Sequence, residues 1–263
     1  MTALRLPSRS VGTLLLVSSI GLLAFGWPFL AEPGSDLAHS TDGPWLFALL
    51  LPLLLAVLIA HLSEGALDAK AVALLGVLAA VAAALRPLGG GATGFQPMFV
   101  VVILGGRALG PGFGFLLGAI GMFASALITG GIGPWLPFQM LGAAWIGLFA
   151  GLLPPARGRS ETWLLVGYGV VAGLAYGFLL NLWFWPFVAG ADSGISFVAG
   201  DPVTENLARF IAFCLVTSLG FDIPRAIGNA ILLAFLTGPV LRTLRRTARR
   251  AAFDAQADFA AVR

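Results

Sequence analysis

Charged residues are scarce in this chain. Asp, Glu, Lys and Arg make up 10% of its 263 residues and hydrophobic residues 59%, whereas a soluble domain carries about 25% charge. That balance excludes a soluble enzyme or binding module and leaves a polytopic membrane protein. Cysteine is also nearly absent: Cys214, in an apolar run, is the only one, so an internal disulfide is excluded. The two histidines, His39 and His61, fall in different segments with no other ligand cluster beside them. A zinc or di-metal centre is therefore not expected, nor the zinc class of intramembrane hydrolases. No Gly-x-x-x-x-Gly-Lys-Ser/Thr run occurs, so the chain has no phosphate-binding loop of the Walker type. The net charge of +3 is not a nucleic-acid signature, because the basic residues cluster at span ends and in the tail.

Glycine and proline, by contrast, are plentiful, and they organise the stretch 95–155. Two hydrophobic spans, 112–129 and 137–153, are joined by Gly130-Gly131-Ile132-Gly133-Pro134-Trp135. This connector is not helical: its glycines open backbone angles closed to other residues, and Pro134 and Pro137 push their predecessors out of the helical region. The chain must turn sharply there. Trp135 sits where an interfacial aromatic is expected, with Gln139 one turn into the next helix. Two readings stay open: an interfacial anchor with a capping amide, or the lip of a small-molecule site.

Eight spans follow from hydropathy. The apolar run 11–30, behind Arg5 and Arg9, is a signal peptide or a first membrane helix. The second span is 44–62, with Pro52 as a kink. The third, 71–85, is so rich in small residues that Ala79 and Ala83, Ala80 and Ala84, and Gly76 and Ala80 stack four apart; it is a docking helix, for this chain or for another subunit. A short span 95–104 begins with Gln96 and Pro97, and glycines from 105 to 110 make a reversal into 112–129. Gly114 and Gly118, then Gly147 and Gly151, have the spacing of close helix contacts. The span 161–185 crowds Asn181, Trp183 and Trp185 into its last turn, closed by Pro186. A loop then leads to a long helical region, 205–250.

That last region carries Asn206, Arg209, Asp222, Arg225 and Asn229 among apolar residues. Asp222, Arg225 and Asn229 share one helix face. Intramembrane charges are costly unless paired or facing a water-filled cavity, so this polar face is either a functional site or a self-satisfied pair near a break at Gly220 and Pro224. Orientation follows from Lys and Arg. With eight spans both termini are cytoplasmic, together with Lys70, Arg107, Arg157, Arg159, Arg242, Arg245, Arg246, Arg249 and Arg250. Arg86 is the one loop cation left outside. Gln96, Trp135, Gln139, Asn181, Trp183, Trp185 and Asn206 then gather at the outer surface, where aromatic walls and a few amides suit an organic, ring-bearing ligand.

The segment 69–250, with Gly-Pro-Trp-Leu-Pro-Phe-Gln-Met at 133–140, Leu-Asn-Leu-Trp-Phe-Trp-Pro at 180–186 and the Ala-rich span, resembles the substrate-binding S component of energy-coupling factor (ECF) vitamin transporters of the actinobacterial type. The resemblance implies an all-α membrane domain of six helices at 69–250, preceded by two extra helices within 1–68 and followed by a cytoplasmic tail, 251–263. It implies a multi-pass plasma-membrane protein that performs no chemistry and has no intrinsic cofactor. A vitamin, cobalamin or a related cofactor precursor, would bind near the outer face through Gln96, Trp135, Gln139, Asn181 and Trp185. Ala79, Ala80, Ala83 and Ala84 would dock a transmembrane coupling protein driven by two cytoplasmic ATPases, which consume the ATP. The residues by themselves also allow a membrane-embedded enzyme using Asp222, Arg225 and Asn229 on a lipid, a stand-alone secondary permease coupled through Asp222, or a purely structural protein.

Overall fold

A computed structural model describes residues 8–29, 69–89, 93–188 and 193–251. All regular structure among them is helical: α1 (Ser8–Gly26), α2 (Ala69–Leu85), α3 (Met98–Leu109), α4 (Pro111–Thr129), α5 (Leu136–Leu152), α6 (Gly158–Val188), α7 (Val203–Thr217) and α8 (Leu219–Ala251). Single 3-10 turns follow α1 and α2, at Trp27–Phe29 and Pro87–Gly89. Among the described residues, five stretches, Val11–Phe29, Ala69–Gly89, Pro111–Thr129, Gly158–Phe187 and Leu219–Arg249, are long and apolar enough to cross a membrane, and α3 and α5 are shorter apolar helices. The protein is an all-α integral membrane protein. The expected span 44–62, both histidines and the tail beyond 251 lie outside the described residues.

The centre of the bundle is built on glycine. α4 and α5 form an antiparallel pair so close that a Cβ on Gly114 would meet the Gly147 carbonyl, one on Gly147 the Gly114 carbonyl, and one on Gly118 the Ala143 carbonyl. With side chains absent, backbone packs on backbone, the main source of helix association where lipid offers no hydrophobic contrast. A Cβ on Gly106 of α3 would also meet Gly147. Glycines 105 and 106 are therefore helical packing residues, and the reversal expected from 105 onwards shrinks to Gly110 alone, at φ 106°. Correspondingly the short span is α3, Met98–Leu109, shifted by a few residues from 95–104.

α6 and α8 make the second major pair. A Cβ on Gly169, Gly173 or Gly177 of α6 would strike Leu233, Ala226 or the Asp222 carboxylate of α8. Those three glycines, four apart, form a groove that seats the polar face of α8. The 205–250 region is two helices, broken at Ser218 rather than at Gly220 and Pro224: Ser218 N–H still bonds the Cys214 carbonyl at 3.0 Å, while its carbonyl receives Asp222 N–H at 3.0 Å. α6 runs past Pro186 to Val188, where a helix end was expected. α1 lies against α5 and α6, with Trp145 Nε1 donating to Ser18 Oγ at 3.0 Å and Phe25 edge-on to Phe138 at 4.9 Å.

These hairpins give the bundle two ends. One carries the 130–135 connector and Trp135. The other carries Arg107, Glu161 and Arg245, with Arg157 and Arg159 in the α5–α6 link.

Candidate functional site

The site is set by a short helix. α3 has 12 residues, about 18 Å of rise against a hydrocarbon core of about 30 Å, whereas α4, joined to it through Gly110, has 19 and rises about 28 Å. Gln96, just before α3, therefore leads into a helix too short to match the full length of α4. The strand of chain leading to it, 93–97, is pinned to α8: Gly94, at φ 72°, leaves no room for a Cβ against the Phe221 backbone, and the Phe95 ring fills the space above Gly228.

Two cavities open in the bundle, of about 310 and 260 Å³. The first is lined by Trp135, Phe138, Gln139, Leu180, Asn181, Trp183 and Phe184. The second is lined by Gly94, Gln96, Tyr176, Gly177, Asp222, Arg225 and the Ser218 break, among others. They share Leu180, Asn181 and Phe184, so they adjoin along one face of α6. Sequence analysis placed Gln96, Trp135, Gln139, Asn181 and Trp183 together, and the structure brings all five to these walls. It also brings Asp222 and Arg225 there, which the sequence left as a separate polar face.

Trp185 and Asn206 stand elsewhere. Two residues on a helix are about 200° apart, so Trp183 and Trp185 project to opposite sides of α6. Trp185 is fully buried, donates Nε1–H to the Ile195 carbonyl at 2.6 Å and packs on Phe210 and Phe197. Asn206 bonds both the N–H and the carbonyl of Val198, at 3.1 and 2.7 Å. Both residues secure the 193–202 loop. Asn229 likewise lines neither cavity and donates to the Gly169 carbonyl at 3.0 Å.

The polar groups on the walls are held from behind. Asp222, in the first turn of α8, sits where the helix N-terminus favours an anion. It accepts from Ser218 Oγ and from Arg225 Nη1, the latter at 2.6 Å. Arg225 donates again to the Gly173 carbonyl at 3.1 Å and lies 5.3 Å from the Tyr176 ring centroid. Arg86 donates to Gln139 Oε1 at 3.1 Å and to the buried Ser125 Oγ at 3.4 Å. Asn181 donates to Cys214 Sγ at 3.4 Å.

Three buried atoms of wall residues have no hydrogen-bond partner among the described residues: Gln96 Oε1, Trp183 Nε1 and Arg225 Nε. Buried polar atoms are seldom left so. No group of three or more His, Cys, Asp or Glu capable of holding a metal occurs among the described residues.

Sequence reasoning missed Tyr176, Gly177, Ser218 and Arg86. The glycines at 169, 173 and 177 were the available signal for the α6–α8 groove, and the isolation of Arg86 from all other loop cations was the signal for its role. The four docking alanines also divide. Ala79 and Ala83 are buried, in the face of α2 that meets Gly121 of α4, while Ala80 and Ala84 face outward with Gly76. The chain's own packing removes the first two from any outer docking surface.

No curated protein and no solved structure matches the chain. The family model of the ECF transporter substrate-specific component matches residues 70–237, more than half of it, and covers α2 through most of α8. The chain belongs to the substrate-specific components of ECF transporters.

Proposed function

We propose that this protein captures a ring-bearing, vitamin-like molecule in the paired cavities and delivers it inward when coupled to a transmembrane protein and two cytoplasmic ATPases. The observation that carries the reading is the set of unpartnered buried atoms, Gln96 Oε1, Trp183 Nε1 and Arg225 Nε, on residues that line two adjoining cavities together with Trp135, Phe138, Tyr176 and Phe184. Apolar walls with a few fixed polar groups are the general form of a small-molecule site.

In this reading the tryptophan end faces outward and the arginine end faces the cytoplasm, as the excess of Arg at that end favours. Both termini are cytoplasmic. The exposed small-residue face of α2, Gly76, Ala80 and Ala84, meets the coupling protein. The chain itself performs no chemistry, and the engagement of Asp222 by Ser218 and Arg225 supports binding over proton coupling. Of the two cavities, the one of about 310 Å³ is at the lower end of the roughly 300–1,000 Å³ typical of such sites and the one of about 260 Å³ is just below it. They suit a one- to three-ring vitamin better than cobalamin, whose corrin and nucleotide arm are much larger.

The test is to purify the full chain in mild detergent from rich medium and identify co-purified small molecules by mass spectrometry. A stoichiometric organic ligand is expected. Absence of any such molecule, together with no thermal shift across a vitamin panel, would sink the proposal. Orientation is read separately in a Cys214→Ser background, where a membrane-impermeant maleimide should label Gly131→Cys but not Arg159→Cys from outside.

A further inference from the structure

The half-buried guanidinium of Arg86 is unlike the other inward-turned cations. Arg225 is paired with Asp222, Arg209 with Asp201 and Glu205, and both Arg107 and Arg245 with Glu161. Arg86 has no carboxylate partner among the described residues. It does not reach away to solvent either: its two recorded hydrogen bonds go inward, to Gln139 on α5 and to the fully buried Ser125 on α4. Among the described residues near the cavities, two guanidiniums therefore face one carboxylate, Asp222. In a membrane a charge is costly unless something answers it.

The neighbouring wall is arranged to answer an anion. Arginine only donates, so Gln139 must turn its oxygen to Arg86 and its NH2 away from it. Trp183, 8% exposed, lines the same cavity and has a buried indole N–H with no partner among the described residues. Arg225, 7% exposed, leaves Nε–H unpartnered on the adjoining one. Donors backed by a cation, with Gln96 Oε1 as the one unpartnered acceptor, describe a receptor for an oxyanion rather than for a neutral or cationic head group.

We propose that the ligand is an anionic ring compound whose carboxylate or phosphate is held at the Gln139 and Trp183 wall, with the Arg86 guanidinium behind Gln139 supplying the positive charge, and whose ring lies among the aromatic side chains. This rests on the small-molecule reading above and narrows its substrate class.

The experiment measures the charge of the molecule that co-purifies with the full chain. It then compares, in ligand-free protein, matched probes by tryptophan fluorescence: nicotinate with nicotinamide, and flavin mononucleotide with riboflavin. The first pair reads a carboxylate and the second a phosphate. A co-purified carboxylate or phosphate is expected, or a preference of about tenfold or more for the anionic member of a responding pair. Arg86→Gln should remove that preference while leaving the neutral probe unchanged, and Arg86→Lys should keep most of it, which separates lost charge from lost folding. A neutral or cationic bound molecule, or an Arg86→Gln protein that holds the anion as tightly as the native chain, overturns the anion assignment and leaves the small-molecule reading standing. No bound molecule and no response to any probe overturns both.

Discussion

The two ends of the bundle treat charge in opposite ways. At the arginine end Glu161, 3% exposed, is clamped between Arg107 Nε at 2.8 Å and Arg245 Nη2 at 2.6 Å, and Arg107 also bonds the carbonyls of Leu153 and Pro154 at the end of α5. The network joins α3, α5, α6 and α8, and its carboxylate is answered twice. At the tryptophan end Arg86 is answered by neutral oxygens alone among the described residues, and the cavity-lining residues Gln96, Trp183 and Arg225 each keep a buried polar atom without a partner there. Arg245 Nε and Thr237 Oγ1 are unpartnered too, but neither lines the two cavities. A membrane protein fastens itself with the first arrangement and leaves the second for something that arrives.

The comparison breaks most directly at its closed end. Glu161→Ala leaves two arginines without their carboxylate and should cost about 3–5 kcal/mol of stability. The measurement is thermal unfolding in detergent, and ligand affinity should be unchanged in the protein that remains folded. Loss of affinity with unaltered stability would mean that the two ends are one site.

Next in size is a pair on α2. Ala83→Trp drives an indole into the chain's own packing and should cost more than the usual 1–3 kcal/mol of an overpacked core. Ala80→Trp, on the outward face, should leave stability and ligand binding intact while abolishing coupled uptake. If Ala80→Trp transports normally, the outward face is lipid-facing and nothing more.

Gly177→Ala should cost about 1–3 kcal/mol, because its methyl must displace the Asp222 carboxylate. The effect should appear both in the thermal midpoint and in ligand affinity, since this contact lies on the cavity wall. The smallest change is Gln96→Ala at the open end. Stability should move by less than about 0.5 kcal/mol, while affinity for the co-purified ligand falls several-fold, in line with one hydrogen bond. A stability loss with no change in affinity would make Gln96 a structural amide and return the two ends to likeness.

Much of this was legible in the sequence. The connector 130–135 turns as its glycines required, with Gly130 at φ 66°, but Pro137 does not push its predecessor out of the helix: it sits in the first turn of α5 behind a helical Leu136, where its missing N–H costs nothing. α4 and α5 begin and end within a residue of the spans read from hydropathy. The four-residue spacings of Gly114 with Gly118 and of Gly147 with Gly151 marked these residues as close-packing positions, and the structure shows that Gly114 and Gly147 meet each other. What failed did so for identifiable reasons. Gly105 and Gly106 read as a reversal because glycine serves turning and close packing alike, and only a neighbouring backbone distinguishes the two. Trp185 was grouped with Trp183 by proximity in sequence, although helical geometry sends them to opposite faces. Ala79 and Ala80 differ in role because α4 covers one and not the other, which a nearly all-small helix does not encode in its own periodicity.

The sequence by itself determined the solvent, most of the helices and the glycines available for close packing, because those depend on local quantities: apolar length, backbone freedom and the absence of side chains at fixed spacing. Only the tertiary structure decided that Asp222 and Arg225 line the same pair of cavities as Gln96 and Asn181, that Arg86 stands behind Gln139, and that Glu161 closes the opposite end. Those relations join residues from different helices, and they are fixed by the glycine groove of α6, the short rise of α3 and the break at Ser218. Each of these sets where one helix sits against another, which no single stretch of chain specifies.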